Sequence, residues 1–322
     1  MRGRFAPTPS GLMHIGNART ALLAWLHIRS AGGQLILRME DIDKPRSKPE
    51  YALQLLEDLK WLGLDWDEGP GKDGACGPYV QSEREERYEA AFRQLMDSGH
   101  LYPCYCSRAD LAAAASAPHG LASEGGAYPS TCRNMTAAER KERADRKEPA
   151  WRFALPQDTG LAFEDLTAGY RAFPAGFGGD FIVKRADGIY GYQLAVVVDD
   201  AAMNVTHVLR GWDLLDSTPR QLLLYEALGL SKPVFAHVPL LYGPDGQRLS
   251  KRHGSVSIAS MREAGTPPEA VVGVLAYLSG LIDRFEPVQV SDLTASFSME
   301  KLSREPVTIS LEILVMLSGC CA

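Results

Sequence analysis

Along the first hundred residues, apolar positions fall into two alternating periods. RFAP (Arg4–Pro7) reads as a short strand stopped by proline. Ala18, Ala21, Leu22, Trp25, Leu26 and Ile28 then recur at helical spacing, predicting a helix from about Asn17 to Ser30 that Gly32-Gly33 ends. QLILRMED is a mostly apolar run bounded by glycine and charge, and predicts a buried strand. Pro49 to Leu62 carries a second amphipathic pattern ending at Gly63. This strand–helix–strand–helix order predicts an α/β fold with a doubly wound parallel sheet. Ser82-Glu83-Arg84-Glu85 has the spacing of a capping box, with Gly99 expected just past the end of the helix it would open.

From about Leu101 to Pro149 the pattern breaks. Cysteines, an alanine run, glycines and the charged ERKERADRKE predict an inserted subdomain. Strand character returns in AWRFAL, DFIVKR and YQLAVVVDD. THVLRGWDLLDSTPRQLLLYEALG then predicts a strand, a loop and a helix opened at Ser217-Thr218-Pro219 and closed at Gly229. Beyond about Tyr242 the chain reads as mainly helical, with one helix starting at Pro267-Pro268. The expected division is 1–100 and 191–240 as two halves of one sheet domain, 101–190 as the insertion, and 241–322 as a helical region.

Composition is that of an ordinary soluble globular protein, and no apolar run is long enough to span a bilayer. MRGRFAPTPSG lacks the apolar stretch of a secretory signal, so a cytoplasmic location is expected. The net charge of −6 argues against a general electrostatic grip on nucleic acid, though not against a local basic surface. Of six cysteines, Cys104, Cys106 and Cys132 cluster in the insertion; in a reducing compartment this favours a metal over disulfides. A zinc site wants a fourth donor. On spacing alone His119 is the conventional candidate, and Tyr128 is the other.

Two stretches carry phosphate chemistry. In RFAPTPSGLMHIGNART, His14 and Gly16 stand where loop becomes helix. A helix start offers unpaired N–H groups, glycine permits close approach, and an imidazole donates to phosphate oxygens. Far downstream, GQRLSKRHG puts Lys251 in a glycine-flanked loop suited to delivering a cation to a polyphosphate. The phosphate-loop pattern GxxxxGK[ST] does not occur. Together, His14-Ile15-Gly16-Asn17 and Arg248-Leu249-Ser250-Lys251-Arg252 resemble the HIGH and KMSKS motifs of class I aminoacyl-tRNA synthetases. With LRMEDID, YQLAVVVDD and THVLRGWDLLDSTPRQ in order, residues 4 to about 255 resemble the glutamyl-tRNA synthetase group.

The resemblance implies a Rossmann-type catalytic domain, a zinc-containing insertion and a C-terminal helical region like the stem-contact region of that group. It implies glutamate binding by Arg4, Phe5, Ala6, Pro7, Thr8, Glu40, Tyr192 and Arg210, and ATP binding by His14, Gly16, Asn17, Arg248, Leu249, Ser250 and Lys251. His14 and Lys251 would serve the chemistry, with Mg²⁺ accompanying ATP. Two guanidinium groups and one carboxylate suit a ligand with two carboxylates and one ammonium. C-x-C followed by Y-x3-C resembles the zinc site of the shortened, queuosine-modifying branch of the group. That implies one structural Zn²⁺ on Cys104, Cys106, Tyr128 and Cys132, and tRNA(Asp) carrying queuosine as acceptor. A monomer is expected. A truncated enzyme charging the acceptor end of tRNA(Glu) and a non-catalytic binding module are the alternatives. Cys76, Trp212, Cys320 and Cys321 receive no role.

Overall fold

The computed structural model describes residues 1–107, 109–110, 128–247, 249 and 257–317. Strand β1 (Arg2–Phe5) leads through a proline-rich loop to helix α1 (Ile15–Arg29), and β2 (Gln34–Leu37) returns parallel to β1 with Arg4 opposite Ile36. Helices α2 (Pro49–Trp61) and α3 (Glu85–Asp97) follow. The capping box expected at Ser82 does not form. Both the backbone N–H and the hydroxyl of Ser82 donate to Asp41, at 2.8 and 2.7 Å, so Asp41 takes the donors that Glu85 would receive in the box. A short 3₁₀ turn occupies Gln81–Glu83 instead, and α3 begins at Glu85. Gly99 does follow that helix in the left-handed conformation, φ 76°.

The segment expected as an insertion contributes β3 (Leu101–Cys104), α4 (Ala137–Ala144) and β4 (Ala150–Phe153). A hairpin of β5 (Leu161–Asp165) and β6 (Gly169–Phe173) and then β7 (Phe181–Lys184) complete it. Strands β3, β4 and β7 form a small antiparallel sheet. Helix α4 is exposed and opens on a capping box between Thr136 and Glu139.

YQLAVVVDD is helix α5 (Tyr192–Ala202), correcting the strand expected from its β-branched residues. An unbroken apolar run has no periodicity, so a fully buried helix and a buried strand look alike. Here Gln193 to Asp200 are buried throughout, and tertiary packing overrides propensity. The helix also serves the charges at its end. A strand would send Asp199 and Asp200 to opposite faces, whereas the helix lets both meet arginines on one side. Asp199 accepts from Arg84 (2.5 Å), Gln81 (2.8 Å) and Tyr88 (2.9 Å), and Asp200 accepts from Arg38 at 2.7 Å.

Next come β8 (His207–Gly211), a 3₁₀ turn at Trp212–Ser217, α6 (Thr218–Ala227) and β9 (Val234–Val238). The central sheet runs β2-β1-β8-β9-β5-β6, all neighbours parallel except the β5–β6 hairpin at the edge. The hairpin thus pairs with the main sheet through β9. Finally β10 (Leu241–Tyr242), α7 (Ile258–Glu263), α8 (Pro268–Tyr277), α9 (Val290–Thr294), β11 (Val307–Thr308) and α10 (Leu311–Leu317) pack against α1 and α2 in one apolar core. Among the described residues no helix is long and apolar enough to cross a membrane.

Candidate active site at the carboxyl ends of the parallel strands

In open parallel sheets, ligand sites form beyond the carboxyl ends of the strands. Four such ends meet here: the Phe5–Thr8 loop after β1, Glu40 after β2, Arg210-Gly211 at the end of β8, and Pro239–Leu241 after β9. They surround a cavity of about 410 Å³. All eight residues expected to bind glutamate line it: Arg4, Phe5, Ala6, Pro7, Thr8, Glu40, Tyr192 and Arg210. So do His14, Gly16, Asn17 and Leu249 from the expected ATP set. Arg248, Ser250 and Lys251 lie outside the described residues.

His14 has a local task that its motif did not announce. It is the N-cap of α1: its Nδ1 accepts from the backbone N–H of Gly16 (3.1 Å) and Asn17 (3.4 Å). A Cβ on residue 16 would stand 3.0 Å from the imidazole, so glycine lets the ring lie over the helix start. With Nδ1 accepting, the neutral ring carries its proton on Nε2, the donor a phosphate oxygen requires. The chain rejoins this turn after the lysine-bearing loop. Ser257 bridges to His14, the Ile258 N–H donates to the Met13 carbonyl at 2.9 Å, and Leu249 N–H bonds the Leu241 carbonyl at 3.1 Å.

The charges around the cavity are buried and held by the protein. Arg38, wholly buried, donates to Asp200 (2.7 Å) and Glu40 (2.9 Å), while Arg4 Nε stands 3.4 Å from Asp200. Burial pushes the Glu40 carboxyl up, opposed by Arg38 and Arg4. Burial acts the same way on Asp200, but there Arg38 and Arg4 outweigh it and hold the carboxyl below its usual range. The Tyr192 phenol is pushed up by burial and by Glu40, which keeps it a hydrogen-bond donor. Arg210 donates Nε to His237 and Nη2 to Thr218, both at 2.9 Å, and its buried Nη1 has no partner within the protein. An orphaned guanidinium donor beside a polar cavity fits an anionic ligand. Arg38, Asp165, Asp200, Thr218 and His237 were not singled out by sequence. Arg38 and Asp200 stand inside recognised motifs, but Asp165 and His237 carry no local signal.

The cysteines form a separate centre. Cys104 ends β3, Cys106 follows, and Tyr128 to Cys132 turns back through Ser130 at φ 57°. The three Sγ atoms lie within 4.8 Å of one another, with Cys106 and Cys132 at 3.6 Å. The Tyr128 phenol oxygen is 3.3 Å from the Cys104 sulfur and 3.6 Å from that of Cys106. Donors at about 2.3 Å from a tetrahedral ion sit roughly 3.8 Å apart, so the four fit one metal. Burial and the neighbouring thiols push the Tyr128 phenol far up, so its ligation depends on the charge of the ion. His119 lies outside the described residues.

Residues 1–314 match the family model described as tRNA synthetases class I (E and Q), catalytic domain. The chain belongs to this family. It is 65% identical over 318 residues to the glutamyl-Q tRNA(Asp) synthetase of Symbiobacterium thermophilum, covering 98% of both chains. It is 49% identical to the protein of the same name from Nitratidesulfovibrio vulgaris, covering 98% of this chain and 97% of that one. Among solved structures, the glutamate tRNA ligase of Elizabethkingia meningosepticum, in complex with its amino acid, superposes with a TM-score of 0.85. That match has 30% identity and covers 98% of this chain and 68% of the ligase. Leu249, before the lysine-bearing segment, lines the cavity, and Ser257, after it, bridges to His14.

Proposed function

We propose that this enzyme activates L-glutamate with ATP, without tRNA, and transfers the glutamyl group to queuosine at the wobble position of tRNA(Asp). One observation carries the reading: a single cavity joins the glutamate-type charge set to the helix start capped by His14. Its two most similar relatives named above, glutamyl-Q tRNA(Asp) synthetases, support the choice of acceptor.

In the first step the α-carboxylate of glutamate attacks the α-phosphorus of ATP and pyrophosphate leaves. Arg4 and Arg210 face the carboxylates, Glu40 the ammonium, and Tyr192 donates a hydrogen bond. His14 Nε2 holds a phosphate oxygen, the positive end of the α1 dipole favours the phosphate charge, and Lys251 offsets charge developing toward pyrophosphate. No covalent enzyme intermediate is needed, because positioning and charge stabilisation supply the rate. Mg²⁺ bound with ATP would offset phosphate charge. In the second step a hydroxyl of the queuosine cyclopentene ring attacks the glutamyl carbonyl, AMP leaves, and an ester forms. A structural Zn²⁺ on Cys104, Cys106, Tyr128 and Cys132 would hold the end of β3 to the 128–132 turn and take no part in either step.

The test is ATP–pyrophosphate exchange with glutamate in the absence of tRNA, followed by labelled-glutamate transfer to tRNA(Asp) with and without queuosine. Exchange without tRNA and queuosine-dependent labelling are expected; labelling of tRNA(Glu) would overturn the reading. Lys251→Ala should lose most exchange while keeping the fold, and wild-type exchange in that variant would remove Lys251 from the mechanism.

A further inference from the structure

Behind the cavity lies a buried hydrogen-bond chain that neither motif nor family signature assigned. His237, on β9, is fully buried between Arg210 on β8 and Asp165 at the end of β5. Its Nε2 is 2.9 Å from Arg210 Nε and 3.3 Å from the Thr218 hydroxyl, and its Nδ1 is 2.6 Å from Asp165 Oδ2. The second oxygen of Asp165 accepts from the N–H groups of Thr167 (3.0 Å), Ala168 (2.8 Å) and His237 itself (3.1 Å), which fixes the carboxylate.

A guanidinium only donates, so Nε2 must present a lone pair to Arg210, and the proton must sit on Nδ1 facing Asp165. An imidazolium would set two N–H groups against each other. The groups facing the ring are Asp165 from β5, Arg210 from β8, Arg4 from β1 and Thr218 from α6. Burial, with Arg210, pulls the imidazole down to about 4, which agrees with a neutral ring.

We propose that Asp165 and His237 are positioning residues for glutamate: Asp165 fixes the tautomer, His237 anchors Arg210 Nε, and Nη1 is thereby left for a ligand carboxylate. This rests on the glutamate reading of the cavity. It also gives the β5–β6 hairpin a part in amino-acid binding, since Asp165 is the last residue of β5.

Asp165→Asn tests it. The amide would donate to Nδ1, force the proton to Nε2 and set it against Arg210. The glutamate KM in ATP–pyrophosphate exchange should rise about tenfold or more, while the ATP KM holds within about twofold. His237→Gln supplies an acceptor toward Arg210 that owes nothing to Asp165, so Asp165→Asn should cost nothing further in that background. An equal penalty in both backgrounds, or a glutamate KM unmoved by Asp165→Asn, would overturn the proposal. Parallel losses for glutamate and ATP with a falling melting temperature would assign the pair a purely structural role. Nitrogen-15 shifts of His237 in the wild-type protein read the tautomer directly, and a proton on Nε2 would overturn the proposal even if Asp165→Asn does not fold. Glutamate titration of the wild type by calorimetry separates the two readings. No binding at all sinks the function, whereas binding equal in wild type and Asp165→Asn sinks only the positioning pair.

Discussion

The cavity and the cysteine cluster solve opposite problems. Around the cavity, Arg4, Arg38 and Arg210 are buried with their partners already supplied by the chain, in Asp200, Glu40, His237 and Thr218. In the cluster, three thiols lie within 4.8 Å of one another, the Tyr128 phenol oxygen stands 3.3 and 3.6 Å from two of them, and Arg152 stacks 3.7 Å over the Tyr128 ring. The first site is organised by the fold, and Arg210 Nη1 is among the buried donors it leaves without a protein partner. The second gathers donors that could hold a metal ion. Buried charge is tolerated in the first because every ionised group has a counter-charge or a hydrogen bond; in the second, burial and the neighbouring thiols push the Cys106 thiol up, against ionisation.

The sharpest way to break this contrast is Arg210→Lys. The ammonium cannot reproduce a fork that spends one arm on His237, one on Thr218 and one on ligand, so glutamate affinity should fall about a hundredfold, or about 3 kcal/mol. Calorimetric titration would measure it, and metal content should stay unchanged. A smaller effect is expected from Tyr128→Phe, which should weaken metal binding roughly 10–100-fold, read by competition with a chromogenic chelator. The glutamate KM should not move. If it does, the two centres are coupled and the contrast fails. Smallest is the pH effect. The His237 imidazole is held down to about 4 by burial, against an unfolded value of 6.5, so the unfolded chain binds the proton first. Stability from this group is complete above about pH 6.5 and drains as pH falls toward 4, with a slope approaching ~1.4 kcal/mol per pH unit. Urea denaturation should show a shallower acid slope in His237→Gln by about that amount.

How far the sequence could be read depended on the range of the forces involved. β1, α1, β2 and α2 were legible because amphipathic periodicity, prolines and glycine stops act within a few residues. Two Ser/Thr-x-x-Glu patterns with different fates mark the limit. Thr136–Glu139 forms its capping box on an exposed helix, whereas Ser82–Glu85 does not, because Asp41, distant in sequence, takes both Ser82 donors. YQLAVVVDD failed for the same reason: its state is set by burial on all sides and by arginines from β2 and the α3 region. Within the cavity, Arg4, Glu40, Tyr192 and Arg210 were legible only through a resemblance, and Asp165 and His237 had neither motif nor periodicity to mark them.

Alone, the sequence determined the His14–Gly16 turn, since a helix cap joins residues two and three apart and needs only a short side chain and a glycine beside it. It also determined the order of the first elements and the company of thiols kept by Cys104, Cys106 and Cys132. Only the tertiary structure decided that Arg4, Glu40 and Arg210 share one cavity, and that Asp165 reaches His237 from a hairpin at the edge of the sheet. Those contacts join residues far apart in the chain, and the parallel pairing of β1, β8, β9 and β5 brings their ends together.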